Sequence, residues 1–240
     1  MSSCINDAAP HIQKTSAHAI IVLASGLSQR LGQAKQLLNK NGDALIEVML
    51  KLAVTTQPRV IIVIVPDYNA ITDAVADLAA QYPIIQMVVN PQPETGMAHS
   101  LYLGIEALTD VSLPDERVLI MGVDQILLDE SHLTALLAGS QVVVASEYHS
   151  WTYADKMYLD DHSVANSSAK RIIGLPLIIN DGLLRQWQSA LTGDKGLRHL
   201  IRALPPSKIS TVTNDQLSYD IDTPEQLAYA QQKGWLDKQL

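Results

Sequence analysis

Short, nearly unbroken apolar runs set the limits on what this chain can fold into. Residues 19–23, 60–65, 84–89, 118–121 and 141–145 are rich in Ile and Val and lack the polar alternation of a half-exposed strand. Strands of that kind are buried on both faces. The intervening segments carry helical spacing instead: Leu45, Val48, Met49 and Leu52; Ile71, Val75 and Leu78; Leu101, Ile105 and Leu108. Strand and helix in alternation predict an α/β fold built on a mostly parallel central sheet. Pro66, Pro83 and Pro114 punctuate the chain where strands are expected to begin or end.

The rhythm weakens over residues 147–171, which are expected to be irregular, and resumes with a strand at 175–179 and helices near 183–190, 195–204 and 225–233. No internal repeat or low-complexity linker interrupts the 240 residues, so the expected organisation is one domain over 19–240 behind a flexible leader, 1–18. The leader lacks the apolar core of a secretory signal. It holds the one cysteine, Cys4, so neither an intrachain disulfide nor a cysteine-based metal cluster can form, and a reducing cytoplasm is the expected compartment.

A net charge of −8 disfavours a nucleic-acid backbone as partner. No apolar run approaches the roughly 20 residues of a membrane-spanning helix. A small phosphorylated ligand stays compatible with an acidic chain, because a few cations and backbone N–H groups suffice to hold it.

The first apolar run leads into Leu23-Ala24-Ser25-Gly26-Leu27-Ser28-Gln29-Arg30-Leu31-Gly32-Gln33-Ala34-Lys35. In a parallel sheet, ligands gather beyond the carboxyl ends of the strands, where this loop is expected to lie. Glycines there allow close backbone approach to phosphate oxygens, and Arg30 and Lys35 add charge. The plainer reading is a glycine-rich turn with two solvated cations. Neither G-x-x-x-x-G-K-[ST] nor G-x-G-x-x-G occurs, which removes support for a P-loop ATPase and for a dinucleotide-binding dehydrogenase. The histidines show no zinc-binding spacing.

Gly26, Ser28, Arg30, Gly32, Lys35, Leu37 and Leu38 form a G-x-S-x-R-x-G-x-x-K-x-L-L pattern that resembles the signature loop of the MobA-like nucleotidyltransferases, closest to the molybdenum cofactor cytidylyltransferase branch. Further stretches follow in that family's order: Asn90 to Gly104 with Gly96 and Ser100, Gly122-Val-Asp124-Gln125, Gly193-Asp194-Lys195-Gly196-Leu197-Arg198, and Asp220-Ile-Asp222-Thr-Pro224-Glu. The resemblance implies a three-layer Rossmann-like nucleotidyltransferase fold. It also implies a Mg²⁺-dependent transfer of a nucleotidyl group, CMP from CTP, to a phosphorylated acceptor such as a molybdopterin-type cofactor, with release of pyrophosphate.

On that resemblance Lys35, Arg30 and Asp124 are the catalytic candidates. The nucleotide is expected to lie against Leu23, Ala24, Ser25, Gly26, Ser28, Gly32, Asn90, Gly96 and Ser100, and Asp124 with Asp222 to hold the metal. Asp222-Thr-Pro-Glu also reads as a plain helix start. Lys195 and Arg198, at a helix expected to begin at Asp194, are candidates for the acceptor's phosphate, although an ordinary exposed helix has the same look. A handover partner such as a molybdoenzyme or chaperone would follow from a cofactor product.

The chain departs from the pattern in several places. Ile126 stands where D-Q-P has proline, Leu175 where G-H-P has histidine, His99 where a small residue is common, and Ser25 where alanine or glycine is usual. These changes leave open a transferase acting on a sugar phosphate or another small phosphate, and a non-catalytic cofactor-binding chaperone on the same fold. Tyr148, Trp151, Tyr153 and Tyr158 cluster within 147–171, either as a flap able to stack on a flat ring or as ordinary surface packing, and Asp160-Asp161 reads as a solvated turn.

Overall fold

A computed structural model describes residues 17–110, 117–150, 170–193 and 196–238. The expectations for Cys4, for Trp151, Tyr153 and Tyr158, for Asp160-Asp161, and for Asp194 and Lys195 lie outside the described residues.

The apolar runs are strands. In chain order they are β1 (His18–Leu23), the small hairpin β2 (Asn39–Lys40) and β3 (Asp43–Ala44), then β4 (Val60–Pro66), β5 (Ile85–Asn90), β6 (Arg117–Gly122), β7 (Val143–Ser150), β8 (Lys170–Asn180) and β9 (Ile209–Thr213). Apart from the hairpin they form one seven-stranded sheet, ordered β5-β4-β1-β6-β8-β7-β9. β1 sits near its middle, paired in parallel with β4 through Ala19↔Val60 and with β6 through Ala19↔Val118. β8 runs against both of its neighbours, while β7 and β9 are parallel to each other.

Successive residues of a strand face opposite sides of a sheet, and both sides of the central strands are covered, whereas the edge strand β5, expected to be buried, leaves Gln86, Met87 and Val89 exposed. Ile20, Val22, Ile61 and Val63 pack in one layer with Met49, Val75, Leu133 and Leu227, which belong to helices α1 (Leu45–Thr55), α2 (Asn69–Gln81), α4 (Glu130–Ala138) and α7 (Pro224–Gln232). Ala19, Ile21, Val60 and Ile62 pack in the other with Leu101, Leu184 and Ile201 from α3 (Met97–Ala107), α5 (Asp181–Trp187) and α6 (Arg198–Arg202). The fold is the expected three-layer α/β arrangement. Gly104 permits α3 to lie close to β1, since a methyl group there would meet Ile21 Cγ2 at 2.8 Å.

Two expectations need correction. The ends of the 147–171 segment are not irregular: β7 continues to Ser150 and β8 begins at Lys170, with a register shift between Ala145 and Ser146. Polar residues disguise this strand, and Glu147 is held there by Arg171 and by the Thr211 hydroxyl at 3.0 Å. The helix expected over 195–204 is confined to Arg198–Arg202, because Gly196 adopts φ +49°, a left-handed conformation that helix residues do not take. Asp222 follows an isolated bridge between Gln125 and Asp220.

Candidate active site

The carboxyl ends of β1, β5 and β6 converge, and the loops that leave them build the site. Leu23 closes β1; Ala24 then hydrogen-bonds Ile64 O through its N–H at 2.8 Å, which fixes where the loop departs. Gln36, almost fully buried, donates from Nε2 to Ala24 O at 2.6 Å and to Gly26 O at 2.8 Å, clamping the loop from beneath. Ser28 takes φ +52°; its hydroxyl accepts the Lys35 N–H at 3.2 Å, and its carbonyl accepts the N–H groups of Leu31 and Gly32. The loop is therefore folded back on itself with Arg30 at its tip and Lys35 at its return. A Cβ at Gly26 or Gly32 would meet no protein atom within 4 Å, so the space these glycines leave opens outward.

Under the loop lies a buried polar trio. Ser25 Oγ and Ser100 Oγ are 2.6 Å apart, and Asn90 Nδ2 donates to both, at 3.3 and 3.2 Å. Asn90 Oδ1 accepts the Gln92 N–H at 2.9 Å, so every polar atom of the asparagine side chain that the trio needs is engaged. Ser25, the unusual residue of the loop, supplies a hydroxyl that a glycine or alanine could not. Gly96, at φ +96°, turns the chain into α3 and brings Ser100 to this point.

Asp124 follows β6, and Asp222 reaches the same place from the far end of the chain because Ile221 N–H bonds Asp124 O at 3.3 Å. Lys35 Nζ lies between them, 3.2 Å from Asp124 Oδ2 and 2.7 Å from Asp222 Oδ1, and Arg30 meets Asp222 Oδ2 at 2.6 Å. Two cations thus face two carboxylates. Burial by itself would lower Lys35, but Asp124 and Asp222 outweigh it and hold the ammonium above its usual range. Burial by itself would raise Asp222, yet the hydrogen bond and charge of Lys35, aided by Arg30, hold it below the usual carboxylate range. Both stay ionised at neutral pH. Asp222 also begins a helix as its plainer reading requires: Thr223 caps α7 reciprocally with Gln226, and Pro224 occupies its first turn.

Two adjoining cavities, each about 610 Å³, open here. The first is lined by Ser25, Gly26, Ser28, Arg30, Lys35, Gly96, Ser100, Asp124 and Asp222. The second is lined by Tyr148, Gly174, Arg198, His199, Arg202 and Asp220 among others. Leu23, Met97, Asp124 and Leu175 border both, which places Asp124 on the shared wall.

Most of the candidates read from the sequence meet around the first cavity. Ala24, Gly32 and Asn90 are not on its wall, although Ala24 and Asn90 support residues that are. Arg198 belongs to the second cavity, joined there by Tyr148 of the aromatic cluster and by Arg202 and His199, which the sequence did not single out. Gln36 was legible in principle, directly after Lys35. Of the departures, Ile126 is fully buried in a core layer with Ile221, Leu175 makes the shared wall apolar, and His99 lines neither cavity.

The sequence profile of the MobA-like NTP transferase domain matches residues 20–209. The chain belongs to this family. As a MobA-like domain it is a nucleotidyltransferase in type, and its fold is shared by solved structures of low identity. The homologue of Mycobacterium tuberculosis Rv0371c from Mycobacterium sp. strain JC1 is 24% identical over 90% of this chain and 96% of its own, at a TM-score of 0.63. A nucleotidyl transferase from Methanothermobacter is 18% identical over 91% and 97%, at 0.67. A 4-diphosphocytidyl-2C-methyl-D-erythritol synthase from Anaerococcus prevotii is 14% identical over 91% and 96%, at 0.62. No curated protein sequence matches this MobA-like domain. Among the described residues, no helix is long and apolar enough to cross a membrane.

Proposed function

We propose that this MobA-like domain transfers CMP from CTP to a phosphorylated small-molecule acceptor of the molybdopterin type, with release of pyrophosphate. The observation that carries the reading is the pair of cavities meeting at Asp124, one beneath the glycine loop and one beside Arg198 and Arg202. A triphosphate in the first cavity would place its phosphates near Arg30 and Lys35. An acceptor in the second would reach the α-phosphorus across the shared wall.

The acceptor's phosphate oxygen is already ionised at neutral pH, so it attacks without a general base. A new P–O bond forms at the α-phosphorus, the bond to the bridging α–β oxygen breaks, and pyrophosphate leaves with that electron pair. Lys35, held protonated, offsets charge on the transferring group, and Arg30 offsets it on the departing phosphates. Asp124 and Asp222 fit Mg²⁺ by donor chemistry. Both present hard carboxylate oxygens to one point, that of Lys35 Nζ, and Mg²⁺ characteristically takes one or two carboxylates and completes its shell with phosphate and water. When bound, the ion would neutralise triphosphate charge and fix the α-phosphate's orientation.

CTP draws support from the loop's resemblance to the cytidylyl branch and from the Anaerococcus neighbour, whose name describes a diphosphocytidyl product. That neighbour also favours the second reading, a small-phosphate cytidylyltransferase, as does the apolar Leu175 in place of the expected histidine. Pyrophosphate release from CTP and Mg²⁺ separates them: turnover with molybdopterin supports the first reading, and turnover with sugar or polyol phosphates alone replaces it with the second. No release with any acceptor would favour a cofactor-binding chaperone.

A further inference from the structure

Leu175 stands where the two cavities meet, and β8 bulges at that point. Between the pairs Ala145↔Leu177 and Ser146↔Gly174, β7 advances one residue while β8 advances three, so Leu175 and Pro176 lie outside the ladder. A bulge re-aims the side chains that it frees. This one is pinned through its own carbonyls: Gln125 Nε2 donates to Leu175 O at 2.8 Å, and Ser146 Oγ donates to Pro176 O at 2.6 Å. The half-buried side chain of Leu175 lines both cavities. Leu23 and Met97 border both as well, Met97 being 46% exposed, and the half-buried Ile173 joins them in the second. Apolar surface left open to water in a cavity gains by being covered.

The polar side chains of the second cavity are of another kind. A Cβ at Gly174 would stand 3.1 Å from the Tyr148 hydroxyl and 3.9 Å from Arg198 Nη2, so a donor and a cation meet over bare backbone. Burial pushes the Tyr148 hydroxyl up against the opposing effect of Arg198, and it stays a protonated donor. His199 and Arg202 line the same cavity from α6. The carboxylates are engaged, Asp124 by Lys35 and Asp220 within the protein. The cavity therefore offers donors and positive charge to an anion, and apolar side chains to whatever that anion is attached to.

We infer that the acceptor is a phosphomonoester with apolar surface next to its phosphate, the phosphate toward Tyr148 and Arg198 and the apolar part against Ile173 and Leu175, with Leu175 as the specificity determinant. The inference rests on the transferase reading above and narrows its second substrate. A ring face or an alkyl chain fits this wall. A hydroxylated chain does not, because each hydroxyl would exchange water for hydrocarbon.

The test uses the full chain saturated with Mg²⁺ and the α,β-methylene analogue of CTP. n-Butyl phosphate and erythritol 4-phosphate share a carbon chain of the same length, bare in one and hydroxylated in the other, and benzyl phosphate supplies a ring face; each is titrated by calorimetry or NMR. The butyl and benzyl esters should bind about tenfold tighter than erythritol 4-phosphate. Leu175→Asn should cut that preference to about threefold or less by weakening the two apolar esters, whereas Arg198→Gln should weaken all three alike. Equal or tighter binding of erythritol 4-phosphate, binding of none of the three esters, or a preference that survives undiminished in a folded Leu175→Asn protein would each overturn the inference. The comparison on the unmodified protein decides even if Leu175→Asn does not fold. A nucleotide analogue that binds while the esters go undiscriminated defeats this inference alone; failure of the analogue itself to bind defeats the transferase reading and the inference with it.

Discussion

Replacing Lys35 by methionine tests whether the shared cation holds the site together. The change keeps most of the side chain's volume and removes only the ammonium that Asp124 and Asp222 share at 3.2 and 2.7 Å. The Lys35 side chain is 12% exposed and Asp222 26%, so the cluster lies between the limits for surface and buried ion pairs. An exposed pair contributes under about 1 kcal/mol, and stranding a buried partner costs about 3–5 kcal/mol. Arg30 continues to neutralise Asp222, which argues for the lower half of that interval, and the expected loss is about 1–2 kcal/mol at pH 7.

The sign of its pH dependence follows from the two shifts. Asp222 is depressed in the folded state, so its contribution is present above the unfolded value of about 4 and is lost as pH falls through the lower folded value. Lys35 is raised, so its contribution is full below about 10 and is lost as pH rises through the higher folded value. Urea unfolding of both proteins should therefore give a difference that is flat from about pH 5 to 9 and shrinks below about pH 4. A variant as stable as the unmodified protein at pH 7, or a gap that persists undiminished at pH 2.5, would refute the reasoning.

Other substitutions probe separate parts of the account. Asp124→Asn keeps the side chain's shape but weakens a proposed metal ligand on the wall between the cavities, and should lower kcat by about 10²–10³-fold in a pyrophosphate-release assay while the circular dichroism spectrum is unchanged. Asn90→Ala removes the donor shared by Ser25 and Ser100 and should cost about 1–3 kcal/mol in urea unfolding. It should also weaken nucleotide binding, because the floor beneath the loop loses its anchor. Gly104→Ala drives a methyl group toward Ile21 at 2.8 Å and should destabilise by about 1–3 kcal/mol, with a lowered thermal midpoint and no change in nucleotide selectivity.

The parts of the fold that were legible are those where burial is complete on both faces. β1, β4 and β6 announce themselves as Ile- and Val-rich runs because nothing polar is tolerated in the centre of the sheet. β9, with the sequence ISTVT at the sheet's edge, is half exposed and carries no such signal, and α4 was not singled out either. β7 was read short because Glu147, Tyr148 and His149 look like loop residues until Arg171, Thr211 and Asp215 are seen to receive them. The first cavity was readable because its loop is contiguous in sequence. The second is assembled from β7, β8, α6 and the turn before α7, and local spacing does not encode such an assembly. Arg198, Tyr148 and Asp220 were visible there, whereas Arg202 and His199 emerge only from the packing. Ile126 shows the reverse case: a departure from the family pattern that looked functional is a core residue.

The most direct test of the central claim is thermal stabilisation by CTP, GTP, ATP and UTP, each with Mg²⁺, measured on the unmodified protein and on Lys35→Met and Asp124→Asn. A ligand present at about 100 times its dissociation constant adds roughly 2.7 kcal/mol of stability. The account predicts a shift largest with CTP and lost or strongly reduced in both variants. No shift with any nucleotide, or a shift that both variants retain in full, would contradict a nucleotide site built on this loop and these aspartates.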